Sequence, residues 1–328
     1  MTHIQRFLAD AGWTAVKMTP LAGDASRRRY FRVSDGGRIA VLMDAPPETG
    51  EDTARFVRVA KYLTDAGFSA PAILSHDRDA GLLLLEDLGD ALFARQITNT
   101  PEDEEPLYFA AVDFLVELHL AEPAAWLKPM TARFMAEQAL ETLEWFRDPE
   151  FSGDSVFGED DRRLLEVAFA DAAADTPVMV LRDFHAENLV WLPERSGVGR
   201  VGLLDFQDAL AGHPAYDLLS LLEDARRDVA DDLRRRCIDR YLAASGQDAP
   251  AFRQAMAAVG AQRHLRILGI FARLARTQGK SDYLTMVPRV WAHLQRALSA
   301  SNLTDLRTWV EVHLPDPDSA YLKRLERP

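Results

Sequence analysis

Residues 178–191, VMVLRDFHAENLVW, carry the side chains best suited to chemistry. An apolar run ends at Asp183, and Asn188 follows five positions later. A second apolar run, 201–204, ends at Asp205-Phe206. Phosphoryl transfer needs this set. One carboxylate orients an attacking hydroxyl and accepts its proton, while an amide oxygen and a second carboxylate hold Mg²⁺ against the phosphates of ATP. Oxygen ligands match a hard cation. A lone D-x-x-x-x-N equally fits two turn residues and a strand terminator. The D-F element and the order of the three groups argue for chemistry.

The elements that must position these groups can be read from periodicity. Residues 3–11 form a short amphipathic helix ended by Gly12. Val16, Met18 and Leu21 lead into a turn at Gly23-Asp24-Ala25-Ser26, and Tyr30, Phe31 and Val33 form a strand. Asp35-Gly36-Gly37 is a hairpin signal, with the return strand at 39–43. Phe56, Val59, Ala60 and Leu63 have helical spacing within 52–66. Residues 73–75 and Leu82–Glu86 are two more strands around a turn. Strands joined by such tight turns are antiparallel. Beyond Gly89 the pattern is helical at 106–120, 131–146 and 160–174, is interrupted by a β island at 178–192 and 200–206, and is helical again from 216. The expected fold class is therefore α+β: a β-rich lobe over 1–90 and a helical lobe over 91–328, with a connector near 87–105 marked by Pro101, Pro106 and a run of acids.

The loop resembles that of the aminoglycoside phosphotransferase/choline kinase branch of the protein-kinase-like bilobal fold, H-G-D-x-H-x-x-N followed by a strand ending in D-F. Asp183, His185, Asn188 and Asp205-Phe206 match; Leu181 and Arg182 stand where the family has His and Gly. The resemblance implies a catalytic Asp183, metal ligands Asn188 and Asp205, and a structural hydrogen-bonding role for His185. It also implies that 21–26 is the nucleotide loop. There Gly23 would allow close backbone approach to phosphate and the Ser26 hydroxyl would donate to it. Glu86-Asp87-Leu88 would be the interlobe hinge whose backbone meets adenine, and Asp217 would brace the catalytic loop. Each of these also has a plain reading as a turn, a strand end or a structural carboxylate.

Kinases of this fold place a lysine on the third strand, but no lysine lies between Lys17 and Lys61, and the position is apolar, Met43 or a neighbour. Arg27-Arg28-Arg29 and Arg32 follow the nucleotide loop, and by strand alternation Arg28 and Arg32 share one face, which makes them candidate phosphate cations. The combination of GDASRRRYFR (23–32), MDAPP (43–47) and DFQDA (205–209) resembles, within that family, the anomeric N-acetylmuramate/N-acetylglucosamine kinases of cell-wall recycling. That implies ATP, Mg²⁺ and a C1 hydroxyl acceptor. An anomeric hydroxyl is more acidic than an ordinary sugar hydroxyl, so a carboxylate base suffices. Arg182 and Asp208 are candidate substrate contacts, and Trp145, Trp191 and His213 are available aromatic groups. Kinases for an aminoglycoside, a choline-like or a homoserine-like acceptor stay open, as does a nucleotide-binding pseudokinase.

Composition narrows the partners. Lys plus Arg is 38 and Asp plus Glu is 51, a net charge of −13, which disfavours a general nucleic-acid binder and docking on an anionic membrane. The single cysteine, Cys237, permits no intrachain disulfide and fits a reducing compartment. No stretch reaches the roughly 20 apolar residues of a membrane span, and no secretory apolar run opens the chain. The expectation is a cytoplasmic protein with a small-molecule substrate.

Overall fold

A computed structural model describes residues 3–21, 28–50, 52–147 and 157–326. In chain order the elements are α1 (His3–Asp10), β1 (Lys17–Leu21), β2 (Arg29–Asp35), β3 (Arg38–Asp44), α2 (Thr53–Asp65), β4 (Ile73–Asp77), β5 (Leu82–Glu86), α3 (Phe93–Asn99), α4 (Glu104–Leu120), α5 (Ala132–Phe146) and α6 (Glu159–Ala168). They continue with β6 (Val178–Val180), β7 (Leu189–Trp191), β8 (Val201–Leu203), β9 (Leu210–Gly212), α7 (Ala215–Leu222), α8 (Asp231–Ser245), α9 (Ala249–Gln278), α10 (Val287–Leu298), α11 (Thr304–His313) and α12 (Ser319–Leu325). The order strand–strand–strand–helix–strand–strand followed by helices is the one the sequence implies. The helix expected at 160–174 ends at Ala168, with a 3-10 turn at Ala170–Ala172. Among the described residues no helix is long and apolar enough to cross a membrane.

The chain packs as two compact units, residues 1–114 with 186–209, and residues 115–185 with 210–328. This differs from a single cut at residue 90. The cut falls inside α4, and the segment holding Asn188 and Asp205 groups with the N-terminal sheet because its backbone bonds to that unit.

The first unit is built on a five-stranded antiparallel sheet in the order β1-β2-β3-β5-β4. Asp35 pairs with Arg38 across Gly36-Gly37, both at positive φ (57° and 88°), the two-residue turn whose twist suits a hairpin. Phe7 and Leu8 of α1 join Trp13, Val33, Ala40, Leu42, Leu82 and Leu84 in one core cluster. The Asp52 carboxylate caps α2 by accepting the Ala54 N–H at 2.9 Å. The β7–β8 hairpin attaches through a bridge between Ser69 and Gly202, and the Leu203 N–H donates to the Ser69 carbonyl at 2.9 Å. A Cβ on Gly202 would stand 3.0 Å from the Leu192 side chain and 3.1 Å from that of Leu88, so a larger residue there would have to push both leucines aside.

Among its described residues the second unit is built of helices with the β6–β9 pair and a single bridge between Pro129 and Ala211. Its central helix, α9, has 30 residues and buries side chains around its circumference, as a helix enclosed by others must. At Gly269 an added Cβ would lie 2.1 Å from the Thr142 carbonyl oxygen, so α5 and α9 meet backbone to backbone there.

Candidate active site

In the first unit the ends of one hairpin carry the two expected metal ligands. Leu189 pairs with Leu203, and the Leu204 N–H donates to the Asn188 carbonyl at 2.9 Å, so Asn188 and Asp205 leave the same end of the β7–β8 ladder. Asp205 has φ +54°, a left-handed step taken without glycine. The buried Phe206 ring lies 4.9 Å from that of Phe56 on α2, so the phenylalanine of D-F anchors the turn while the aspartate faces outward. The Asp205 carboxylate is 47% exposed; its Oδ1 accepts from Gln207 Nε2 at 2.9 Å and stands 3.7 Å from Arg28 Nη1. Among the described residues no group of three or more His, Cys, Asp or Glu could hold a metal. An amide oxygen and one half-exposed carboxylate instead fit Mg²⁺, which keeps several water or phosphate oxygens in its shell.

The other residues expected in this unit divide by what they touch. Arg28 pairs with Asp205, one of the two expected metal ligands. Arg32 instead forks onto two carboxylates: Nε and Nη2 donate to Asp87 (2.5 and 3.1 Å), and Nη1 and Nη2 donate to Asp90 (2.7 and 3.1 Å). Asp90, then Asp87, hold the Arg32 guanidinium pKa above its usual value. In this structure Arg32 braces the stretch after β5, with four of its five N–H donors on Asp87 and Asp90. Glu86 ends the pairing with β3, accepts Arg195 Nη2 at 2.6 Å and takes the Ala72 N–H at 3.1 Å. The backbone of Asp87 and Leu88 lies just past that ladder, and the Asp87 carboxylate also takes the Gly89 N–H at 2.8 Å. Asp208, expected to meet substrate, pairs with Arg55 of α2 at 2.9 Å. Met43, where the lysine is missing, is buried opposite Tyr30 and Leu83, and the neighbouring Asp44 carboxylate pairs with Arg29. Gly23 and Ser26 lie outside the described residues.

In the second unit β6 runs straight into Leu181-Arg182-Asp183. The buried Asp217 carboxylate on α7 accepts two backbone N–H groups, Leu181 at 2.6 Å and Arg182 at 2.8 Å. Arg182 has φ +74°, where the family resemblance puts glycine. Its carbonyl accepts the Ser220 hydroxyl at 2.9 Å, and Ser220 Oγ in turn accepts Arg263 Nε at 3.0 Å. Arg263 also donates to the Glu223 carbonyl at 3.1 Å. Asp183 itself is half-buried. His185 is buried, and desolvation pushes its pKa down against the opposing pull of Asp224 and Asp183, so it is a neutral imidazole at neutral pH. His213 Nδ1 accepts the Ala215 N–H at 3.1 Å at the start of α7, and burial lowers its pKa to about 4. Trp145 offers its carbonyl to Arg276, while Trp191, in the first unit, packs edge-on to Phe93.

Sequence reading missed Ser220 and Arg263. Ser220 lies one turn beyond Asp217 on the same helix face. The signal for Arg263 is the polar run Gln262-Arg263-His264 in the middle of a helix that buries side chains around its circumference. Buried polar groups in such a setting must have partners.

Comparison with known proteins agrees with the geometry. The chain is 39% identical to the N-acetylmuramate/N-acetylglucosamine kinase of Caulobacter vibrioides, over 94% of this chain and 95% of that protein. It is 33% identical to the enzyme of the same name from Pseudomonas aeruginosa, over 89% and 88%. Among solved structures, the ADP-bound aminoglycoside phosphotransferase APH(2'')-Ib superposes with a TM-score of 0.59 at 16% identity, covering 91% of this chain and 99% of the other, which shows a shared fold. With the profile of the phosphotransferase enzyme family matching residues 17–258, and with these relatives at 39% and 33% identity over most of the chain, this chain is a member of the phosphotransferase enzyme family.

Proposed function

We propose that the chain is a cytoplasmic, ATP-dependent sugar kinase that phosphorylates the anomeric C1 hydroxyl of N-acetylmuramate and N-acetylglucosamine. The names of its relatives, N-acetylmuramate/N-acetylglucosamine kinases, support the acceptor. The observation that carries the reading is the braced loop ending at Asp183, with both backbone N–H groups before it held by Asp217. A carboxylate fixed in this way is a positioned base.

Asp183 orients the C1 hydroxyl and accepts its proton as the oxygen bonds to the γ-phosphorus, the bond from that phosphorus to the bridging oxygen breaks and ADP leaves. Asn188 and Asp205 would hold Mg²⁺, which when bound neutralises charge on the phosphates. Arg28, set beside Asp205, takes the place of the missing third-strand lysine. The 87–88 backbone holds the adenine edge, and Gly23 and Ser26 the phosphates. Arg182 meets the sugar. Asp208 keeps α2 and the D-F turn together through Arg55.

The test is ATP consumption with a panel of hydroxyl acceptors, with NMR identifying the phosphorylated carbon. N-acetylhexosamines should turn over and acquire phosphorus coupling at C1. Turnover confined to aminoglycosides or choline-like compounds, or phosphate on another carbon, would overturn the reading.

A further inference from the structure

Arg266 lies one turn beyond Arg263 on α9. It is 9% exposed, and its Nε has no hydrogen-bond partner. No carboxylate among the described residues forms an ion pair with it. Its electrostatic neighbours are Tyr216 of α7, Arg182, Asp183 and Arg263, all of the second unit. Burial is the largest influence and pushes its pKa below the ordinary guanidinium value. Arg182 and Arg263 push the same way, opposed by Tyr216 and Asp183. Guanidinium nonetheless stays charged in proteins.

An unpaired buried guanidinium is costly, and packed apolar residues of the same volume usually serve stability as well or better. Stability therefore does not explain Arg266. A group that lacks its complement in the protein and lies in the electrostatic field of the proton-accepting aspartate, Asp183, fits a ligand that brings the complement. Guanidinium matches a carboxylate with two parallel N–H···O bonds.

We propose that Arg266 is the seat for a carboxylate on the phosphoryl acceptor and so separates acidic from neutral acceptors. The inference rests on the sugar-kinase reading. Of the two sugars, N-acetylmuramate carries a lactyl ether carboxylate that N-acetylglucosamine lacks, so the pair isolates this one contact.

The experiment compares the full chain with Arg266→Met and Arg266→Lys variants by steady-state kinetics on both sugars and by thermal melting. In Arg266→Met the KM for N-acetylmuramate should rise by about 10- to 100-fold, the range for one charge-assisted contact. The kinetics on N-acetylglucosamine should stay within about threefold of the parent. Arg266→Lys should recover part of the N-acetylmuramate KM. The melting temperature of Arg266→Met should be unchanged or higher. Equal losses on both sugars at normal stability would make Arg266 a neighbour acting through Asp183 and overturn the seat. Equal losses with a lowered melting temperature would make it structural, with the same consequence. A binding arm stands apart from turnover: D-lactate should raise the melting temperature of the parent and leave Arg266→Met unmoved. Failure of the parent to phosphorylate either sugar would sink the sugar reading alone. A parent indifferent to D-lactate would overturn the carboxylate seat.

Discussion

Asp217 Oδ1 accepts the backbone N–H of Arg182 at 2.8 Å, and Oδ2 takes the preceding N–H of Leu181 at 2.6 Å. One fully buried carboxylate thus holds the loop through its left-handed step immediately before Asp183. Ser220, one turn further along α7, holds the Arg182 carbonyl from the same helix. The loop is aimed from both sides of a single residue, and that residue carries a side chain at φ +74°.

Arg182→Gly should leave folding stability within about 1 kcal/mol of the parent. The left-handed step costs a side chain roughly 1–2 kcal/mol, and glycine returns about 0.5–1 kcal/mol as chain entropy. Arg182→Val should lose about 2 kcal/mol or more, since a β-branched residue resists positive φ. Urea melts of the two variants check this; equal losses would show that the loop relaxes out of the left-handed region.

Asp217 makes stability depend on pH. Desolvation pushes its pKa up to about 7; the Leu181 and Arg182 N–H groups and the Arg263 charge work against this, and Asp183 adds to it. The unfolded group titrates at about 3.9. Between these values the folded chain holds a proton that the unfolded chain has released, so the contribution of Asp217 falls as pH rises from about 4 to 7 and is flat above. The stability difference between parent and Asp217→Asn should therefore shrink over that window. Asp217→Asn should also be less stable by about 1–3 kcal/mol at pH 5, because one loop N–H then faces an amide NH₂. Denaturant titrations at several pH values measure both.

Asp183→Asn should lower kcat by about 10²–10⁴ while the KM for ATP changes little, the pattern of a lost base at an intact site. Turnover near that of the parent would remove Asp183 from its role.

Arg28 and Arg32 share a strand face in the sequence but differ in their partners. Arg28→Ala should raise the KM for ATP, because its guanidinium stands 3.7 Å from Asp205. Arg32→Ala should act through the 87–90 stretch, with a stability loss of about 1 kcal/mol or less for a partly exposed pair and a smaller nucleotide effect. Nucleotide kinetics with both variants decide the order; a larger ATP effect from Arg32→Ala would reverse the assignment.

Much of the fold was legible because its signals are local. Gly36-Gly37 specify a hairpin by their φ freedom, and the helical spacing of Phe56, Val59, Ala60 and Leu63 specifies α2. The order of Asp183, Asn188 and Asp205, with apolar strands before the two aspartates, is likewise a property of short windows. So is the absent lysine on β3.

The sequence alone determined which residue types follow which strands, and hence the phosphotransferase chemistry and the family. Tertiary structure decided where each charge goes. Arg32 and Asp208 were open in the sequence, and they are occupied by Asp87, Asp90 and Arg55, residues distant in the chain. The 186–209 segment joins the N-terminal sheet through Ser69, a contact no local pattern encodes. Arg263 and Arg266 differ only by one turn of α9, yet one is bonded and the other buried without a partner. Local patterns set periodicity and turn type, whereas the partner of a buried charge depends on which distant backbone and side chains the packed helices bring to it.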